Sequence, residues 1–367
     1  MDDVRNGILE LSTKGYGFLR QADKNFLPQV DDVFIAPPLI QKFRLKDGAD
    51  LEVKVVPDRK DPRKSRAIFI ESIQGIPPTE WSNNNNFESL PVIMPEKPMW
   101  LESKPNNLTQ RIIDLFAPIG EGQRCLIVAP PRSGKTTVLF DIAEAISSKH
   151  SDKKLIALLL DERPEEVTEF RRNVKGTILA SSFDRDVENH LRLTRLTLEY
   201  MKRNVEAGKD VVLLVDSLTR AGRAFNVGQE SSGRLMTGGL DARALEVPKK
   251  LFGAARKIEN GGSLTIIATV LVDTGSRMDE FIFQEFKGTG NMELVLDRSL
   301  ADERIFPAID IKESSTRKEE KLFGENTAMA QSLRRSLHSA TPKEATKHAI
   351  ALMKKFKTNE EVLKQFK

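Results

Sequence analysis

The chain has 367 residues, too many for one ordinary domain and enough for two or three. Its content is 39% hydrophobic and 30% charged, with no apolar run near the ~18 residues of a membrane span, which describes a globular chain and excludes a membrane-spanning helix. Net charge is only +4, so any nucleic-acid site must be local. The acidic start MDDVRNGILE lacks the basic-then-apolar order of an export signal, and one cysteine excludes a disulfide framework. Both point to a cytoplasmic protein without a membrane partner.

Residues 1–75 read as short alternating runs, GILEL, GYGFLR, DDVFIAP, DLEVKVV and RAIFIESI, separated by turn residues at the spacing of a small β-barrel. In GYGFLR, Gly15 and Gly17 flank Tyr16, and Tyr16 and Phe18 stand two residues apart, on one face of a strand. Outward-facing rings on a barrel form a stacking platform for single-stranded bases, each worth ~1–3 kcal/mol, and Arg20 falls in phase to meet phosphate. Asp32 and Phe34 extend this face. The competing reading turns both rings into the barrel core. The flanking glycines and the cost of burying Arg20 favour the outer face.

Residues 76–106 hold several prolines, four consecutive asparagines and both tryptophans, Trp81 and Trp100. This composition denies helix and central strand and reads as a linker, with the tryptophans docked on a domain surface.

From Asn107 to Lys367 apolar β-type runs alternate with helical stretches, the pattern of a parallel sheet covered by helices. RCLIVA, KLIALLLD, DVVLLVD, SLTIIATVLVD and MELVLD are the strands, apolar on both faces. Residues 134–149, 164–173, 186–207 and 241–259 have helical spacing, and Thr341 followed by Pro342 starts a helical tail. Cys125, inside CLIVA, reads as a small core residue.

After RCLIVA comes PPRSGKTT, in which Arg132, Ser133, Gly134, Lys135, Thr136 and Thr137 form the end of a phosphate-binding loop. Backbone N–H groups at a helix start surround phosphates, Lys135 reaches the outer oxygens, and the Thr136 hydroxyl ligates Mg²⁺. The motif's first glycine is Ala129. Asp216, ending DVVLLVD, is placed as the second Mg²⁺ ligand. In LLLDERPEE, Asp161, Glu162 and Arg163 end a strand at the edge where open α/β sheets bind ligands. Glu162 is the candidate general base; an N-cap cluster before Pro164 explains the same residues equally well.

The blocks GYGFLR, VAPPRSGKTT, LLLDERPEEVTEF, VLLVDSLTRAGRAFN, GRLMTGGLDARAL, LFGAARK, GGSLTIIATVLVDTGSRMDEFIFQEFKGTGNMEL and RIFPAIDIKESSTRKEE together resemble the bacterial transcription termination factor Rho family over nearly the whole chain. The resemblance implies a cold-shock-like OB barrel followed by a RecA-like P-loop ATPase domain with C-terminal helices. It also implies a homohexameric ring that binds ATP and Mg²⁺, translocates 5′ to 3′ on nascent single-stranded RNA and releases it from RNA polymerase.

By the same resemblance Arg317 is an arginine finger acting on the neighbouring subunit, with Arg304 beside it. Gly120, Glu121, Gly122, Gln123, Arg124, Cys125 and Arg163 surround the nucleotide. Leu19, Val33, Lys64, Ser65 and Arg66 adjoin the primary RNA face. Arg234, Leu235, Met236, Thr237, Gly238, Gly239, Leu240 and Asp241 line the channel, as do Arg277 and Lys287 in a second loop. This chain departs from the family in beginning almost at the barrel, in the basic segment DRKDPRKSRAIF and in the asparagine-rich linker. Two other readings compete: a non-catalytic RNA binder whose loop senses nucleotide, and a rotary ATPase subunit, against which GYGFLR argues.

Overall fold

The computed structural model describes residues 3–58, 61, 63–81, 86–182, 186–228, 239–241 and 243–367. Arg234, Leu235, Met236, Thr237 and Gly238, expected to line a channel, lie outside the described residues.

Strands β1 (Asp3–Leu11), β2 (Gly17–Arg20), β3 (Val33–Ile35), β4 (Asp50–Pro57) and β5 (Ser65–Ile73) close into a barrel in the order β1-β2-β3-β5-β4. A short helix, α1 (Pro37–Phe43), separates β3 from β4. Period-two alternation sends Leu9, Leu19, Val33, Ile35, Leu51 and Val53 inward. Leu19 and Val33, expected beside the RNA face, therefore have their side chains in the barrel core.

The connecting segment is held at several points rather than free. Trp81, ending α2 (Pro78–Trp81), packs into the barrel core, and Trp100 sits 5.8 Å from the Phe323 ring on the second domain. Phe87 is buried, with the Arg256 guanidinium 4.2 Å from its ring centre, and its N–H donates to Glu206 Oε1 at 2.8 Å. A two-residue strand, β6 (Val92–Ile93), then joins the larger sheet.

In the second domain the Asn107 side chain caps α3 (Leu108–Phe116) by accepting from the Gln110 N–H. There follow β7 (Arg124–Ala129), α4 (Lys135–Lys149), β8 (Lys154–Glu162), α5 (Pro164–Asn173), β9 (Thr177–Ser182), α6 (Val187–Glu206), β10 (Asp210–Asp216) and α7 (Leu218–Gly228). Next come α8 (Glu246–Gly253), β11 (Arg256–Ile258), β12 (Ser263–Leu271), α9 (Arg277–Lys287), β13 (Met292–Leu296), α10 (Arg298–Asp302) and β14 (Ile309–Thr316). The described residues form a nine-stranded sheet, ordered β14-β13-β7-β12-β10-β8-β9, with β11 and β6 added beside β12. From β13 to β9 every pairing is parallel, and β14 runs antiparallel to β13. The carboxyl ends of β7, β8, β10 and β12 thus share one edge, where the loops between strands and helices make room for ligands.

Four helices close the chain: α11 (Glu320–Phe323), α12 (Thr327–Ser336), α13 (Pro342–Lys355) and α14 (Asn359–Lys364). Thr341 and Glu344 form a capping box at the start of α13. Fully buried Arg111 of α3 ties the tail down, donating to the Met353 and Phe356 carbonyls at 2.7 and 2.9 Å and to Asn359 Oδ1 at 3.1 Å.

The expected helix over 241–259 is shorter than its apolar spacing implied. Only Glu246–Gly253 is helical, because Arg256 and Lys257 leave the helix to pair with β12. Strands β9 and β14 and helices α7 and α9 add to the elements expected from the sequence.

Candidate functional site

The phosphate loop joins β7 to α4. Ala129, at the position of the motif's first glycine, is the buried last residue of β7 and is not among the positive-φ residues, so a methyl group is tolerated there. Gly134 does need glycine's freedom: it caps α4 with φ 93°. Ser133 is buried and donates its hydroxyl to the Pro130 carbonyl at 2.7 Å, folding the loop, while Arg132 and Thr137 are exposed. The 15-residue α4 directs its free N–H groups and the positive end of its dipole at the loop.

Lys135 opens α4 and lies against two carboxylates. Its Nζ pairs with Asp216, at the end of β10, and stands 3.5 Å from Glu162 Oε1, at the end of β8. Burial alone would lower the Lys135 ammonium, but Asp216 and Glu162 outweigh it and hold the group above its ordinary value. Asp216 also accepts from the Thr269 hydroxyl at 2.7 Å. Burial, aided by Glu166 and Asp216, raises the Glu162 carboxyl well above the usual carboxylate range against the pull of Lys135 and Arg220. Glu162 Oε2 is buried without a hydrogen-bond partner.

This geometry suits a phosphate chain with a divalent cation. Two carboxylates crowd one lysine beneath an open helix start. No group of three or more His, Cys, Asp or Glu side chains placed to hold a metal ion occurs among the described residues.

Arg220, which sequence reasoning did not select, completes the site. From the first turns of α7 its Nε lies 3.1 Å from Glu162 Oε1, and its Nη1 donates to the Asp161 carbonyl at 2.8 Å. One turn on, Arg223 donates to Asp279 of α9, which also accepts from Thr274 at 2.6 Å. The available signal was the spacing LTRAGR, which puts two arginines on one face of the helix after Asp216.

Other expected site residues lie elsewhere. Gly120, Glu121, Gly122 and Gln123 lie in the turn before β7, and Arg124 and Cys125 open the strand, ~20 Å of extended chain from the phosphate loop. Cys125 is fully buried, and burial pushes its thiol up. Glu121 is occupied with Lys97, Lys153 and Lys257 at 2.8, 2.7 and 3.2 Å. The structure therefore does not bring these six to Lys135 of the same chain. Arg163, at the N-cap of α5, is exposed at the loop edge.

Arg317 follows β14, which runs antiparallel, so it lies at the far edge with Arg124. Its N–H donates to the Asn291 carbonyl at 2.9 Å, and the Asn291 side chain accepts from the Arg124 N–H at 2.8 Å. Arg317 is exposed, as is Arg304 in the turn before β14. Arg277 and Lys287 stand at opposite ends of α9, ~15 Å apart, rather than in one loop. Gly239 is exposed. Leu240 is fully buried, and Asp241 is fixed by the Asn226 side chain at 2.6 Å.

On the barrel, Tyr16, Phe18 and Phe34 form a half-buried triangle with ring centres 5.6 to 5.8 Å apart. Gly15 and Gly17 flank Tyr16, and β-pairing sets Glu10, Phe18, Phe34 and Arg66 side by side across the surface. Lys64 is exposed; Ser65 and Arg66 are half-buried, with Arg66 Nε unpartnered. Arg20 corrects the expectation of a free basic group. It is only 9% exposed, lies 5.1 Å from the Phe18 ring centre and pairs with both Glu10 and Asp32. Burial is tolerated because two carboxylates neutralise it.

The comparisons with known proteins match this two-part construction. The model of the Rho termination factor RNA-binding domain covers residues 5–79, and that of the ATP synthase alpha/beta family nucleotide-binding domain covers 109–316. Transcription termination factor Rho of Borreliella burgdorferi is 48% identical over 99% of this chain and 71% of its own length. The chain belongs to the transcription termination factor Rho family. The Rho proteins of Aquifex aeolicus and Bacillus subtilis are also 48% identical, over 98% and 97% of the chain and 83% of their own lengths in each case. An ATPase of a bacterial type III secretion system shares the fold, with a TM-score of 0.61 at 23% identity over 76% of this chain and 87% of that one. Like its Rho relatives, the chain joins an RNA-binding barrel to an ATP-binding domain and is an ATP-hydrolysing enzyme. Among the described residues no helix is long and apolar enough to cross a membrane.

Proposed function

We propose that the chain is an RNA-dependent ATPase that works in the cytoplasm as a homohexameric ring, moves 5′ to 3′ along nascent single-stranded RNA and releases it from RNA polymerase. One observation carries this reading: Lys135, Asp216 and Glu162 converge at one edge of the sheet, while Arg317 is exposed at the other. An arginine so placed reaches a phosphate loop only in a neighbouring subunit, which a ring supplies at every interface.

In this reading Lys135, with Arg132, Ser133, Gly134, Thr137 and Arg163 around it, binds ATP. Thr136 and Asp216 would hold Mg²⁺, which would neutralise charge on the phosphates. Glu162 orients and deprotonates water, and Arg317 with Arg304 stabilises developing charge from the next subunit. RNA stacks first on Tyr16, Phe18 and Phe34, and Arg277 meets it in the channel.

The test is ATP turnover with and without polypyrimidine RNA. Lys135→Ala and Arg317→Ala proteins should each lose RNA-stimulated turnover, and mixing the two should restore part of it, because mixed interfaces pair an intact loop with an intact finger. Wild-type turnover in either variant alone, or no restoration on mixing, contradicts the trans arrangement.

A further inference from the structure

The barrel and the ATPase domain meet through a contact that begins at the aromatic platform. Glu10 lies directly across from Phe18 in the β1–β2 pairing. Its carboxylate is divided between two arginines: Oε2 takes Arg20 Nε at 2.6 Å and Arg192 Nη2 at 2.8 Å, and Oε1 takes Arg192 Nε at 2.5 Å. Arg20 is the side chain that lies over Phe18, whereas Arg192 belongs to α6 of the ATPase domain and also donates to the Phe26 carbonyl. One carboxylate thus touches both the platform's arginine and the motor's helix.

The same joint leads on toward the ATPase centre. Asn25 and Phe26 are consecutive left-handed residues, with φ 53° and 56°, that turn their side chains out of the barrel. Asn25 Oδ1 accepts the Ala180 N–H of β9 at 2.8 Å and Arg171 of α5 at 3.1 Å, and Phe26 is fully buried against Tyr200 of α6. β9 pairs with β8, and Ser182 stands opposite Glu162. Gly48 seats the barrel on α6 so closely that a Cβ there would fall 2.2 Å from its backbone. The joint is polar and incompletely packed: a cavity of about 100 Å³ lies among Asn25, Arg171, Ser181, Ser182, Asn189 and Arg192, with the Ser181 hydroxyl unpartnered.

We propose that the shared Glu10 carboxylate, held between Arg20 and Arg192, is the contact through which single-stranded RNA on the aromatic platform is felt by the ATPase domain. The proposal rests on the platform and nucleotide site assigned above. An RNA phosphate arriving beside Phe18 is a third anion for Arg20, already shared by Glu10 and Asp32. As Arg20 turns toward it, Glu10 passes to Arg192 alone, and the barrel is drawn against α6. Arg192 is a positioning residue: it touches neither RNA nor nucleotide. Linkage then requires that nucleotide bound at Lys135 change RNA affinity at the platform by the same factor as RNA changes nucleotide affinity.

The experiment measures the affinity of the full chain for a five-nucleotide oligocytidine, with and without a non-hydrolysable ATP analogue and Mg²⁺. For wild type the two dissociation constants should differ by about fivefold or more. Arg192→Gln should keep the nucleotide-free constant within about twofold yet bring the ratio close to one, and Arg192→Lys should restore part of it. Gly48→Ala, which shifts the barrel while keeping all three charged residues, should also lower the ratio. A wild-type ratio in Arg192→Gln or in Gly48→Ala overturns the proposal. Wild type that binds the oligonucleotide with a ratio of one overturns it alone; wild type that does not bind it at all overturns the platform assignment as well.

Discussion

Replacing Glu121 by glutamine should remove about 3 kcal/mol from the stability of the ATPase domain at neutral pH, and less as the pH falls. Glu121 is 1% exposed and lies between Lys97, Lys153 and Lys257, with Lys153 itself buried. Burial alone would raise its carboxyl, but hydrogen bonds from Lys153, Lys97 and Lys257 prevail and hold it at about 2, against an ordinary 4.5. Because the folded value is depressed, the contribution is fully present above 4.5 and is lost as pH falls through 2. Converted to free energy it is about 3 kcal/mol at pH 7 and about half of that at pH 3. The glutamine still accepts a hydrogen bond but leaves buried Lys153 without its countercharge. Urea unfolding of both proteins at pH 7 and pH 3 measures the difference. A gap below about 1 kcal/mol at pH 7, or one that does not shrink in acid, means that solvent screens the cluster and the reasoning is wrong.

Phe18→Ala removes one ring of the platform and should weaken binding of short single-stranded RNA by about 5- to 150-fold, as expected for one stack of ~1–3 kcal/mol; filter binding within twofold of wild type would exclude stacking there. Arg220→Ala frees Glu162 from its nearest cation and should lower ATP turnover about tenfold or more while changing ATP affinity less than about threefold; an affinity change of the same size as the rate change would make Arg220 a nucleotide-binding group instead. Burial pushes Asp114 up to about 7, although the Leu101 and Glu102 N–H groups donate to it at 2.8 Å. The folded chain then holds a proton that the unfolded chain has lost between 3.8 and about 7, so stability falls as pH rises through that window. Asp114→Asn should flatten this slope between pH 5 and pH 8 in urea midpoints, and an unchanged slope would assign it to other groups.

What the residues disclose by themselves depends on how far away their partners lie. Strands β7, β8, β10, β12 and β13 are legible because a strand buried on both faces must be apolar throughout. β14 is not, since an outer strand with Lys312, Glu313 and Ser315 in solvent looks like a loop. β9 ends in Ser181 and Ser182 because its free edge is covered by the Asn25 side chain, delivered by the other domain. Arg20 shows the same limit. Its phase along β2 is readable, whereas its burial depends on Glu10 in β1 and Asp32 just before β3, which bring charge from elsewhere in the barrel, and on Arg192, 182 residues from Glu10. Lys135 and Asp216 announce themselves through spacing because phosphate chemistry fixes their local backbone. Arg220 carries no such mark, since its task is defined only by Glu162 at the end of another strand. Arg317 is the extreme case. Nothing within one chain gives it a partner at the phosphate loop, and the sheet's antiparallel last strand sends it to the opposite edge. Its proposed meaning comes from the family resemblance, and the chemistry proposed for it requires a second copy of the chain whose loop edge faces the first copy's finger edge. An interface of that kind would join two different faces and so continue around a ring, so that in the proposed arrangement one exposed arginine bears on both the rate of hydrolysis and the state of assembly.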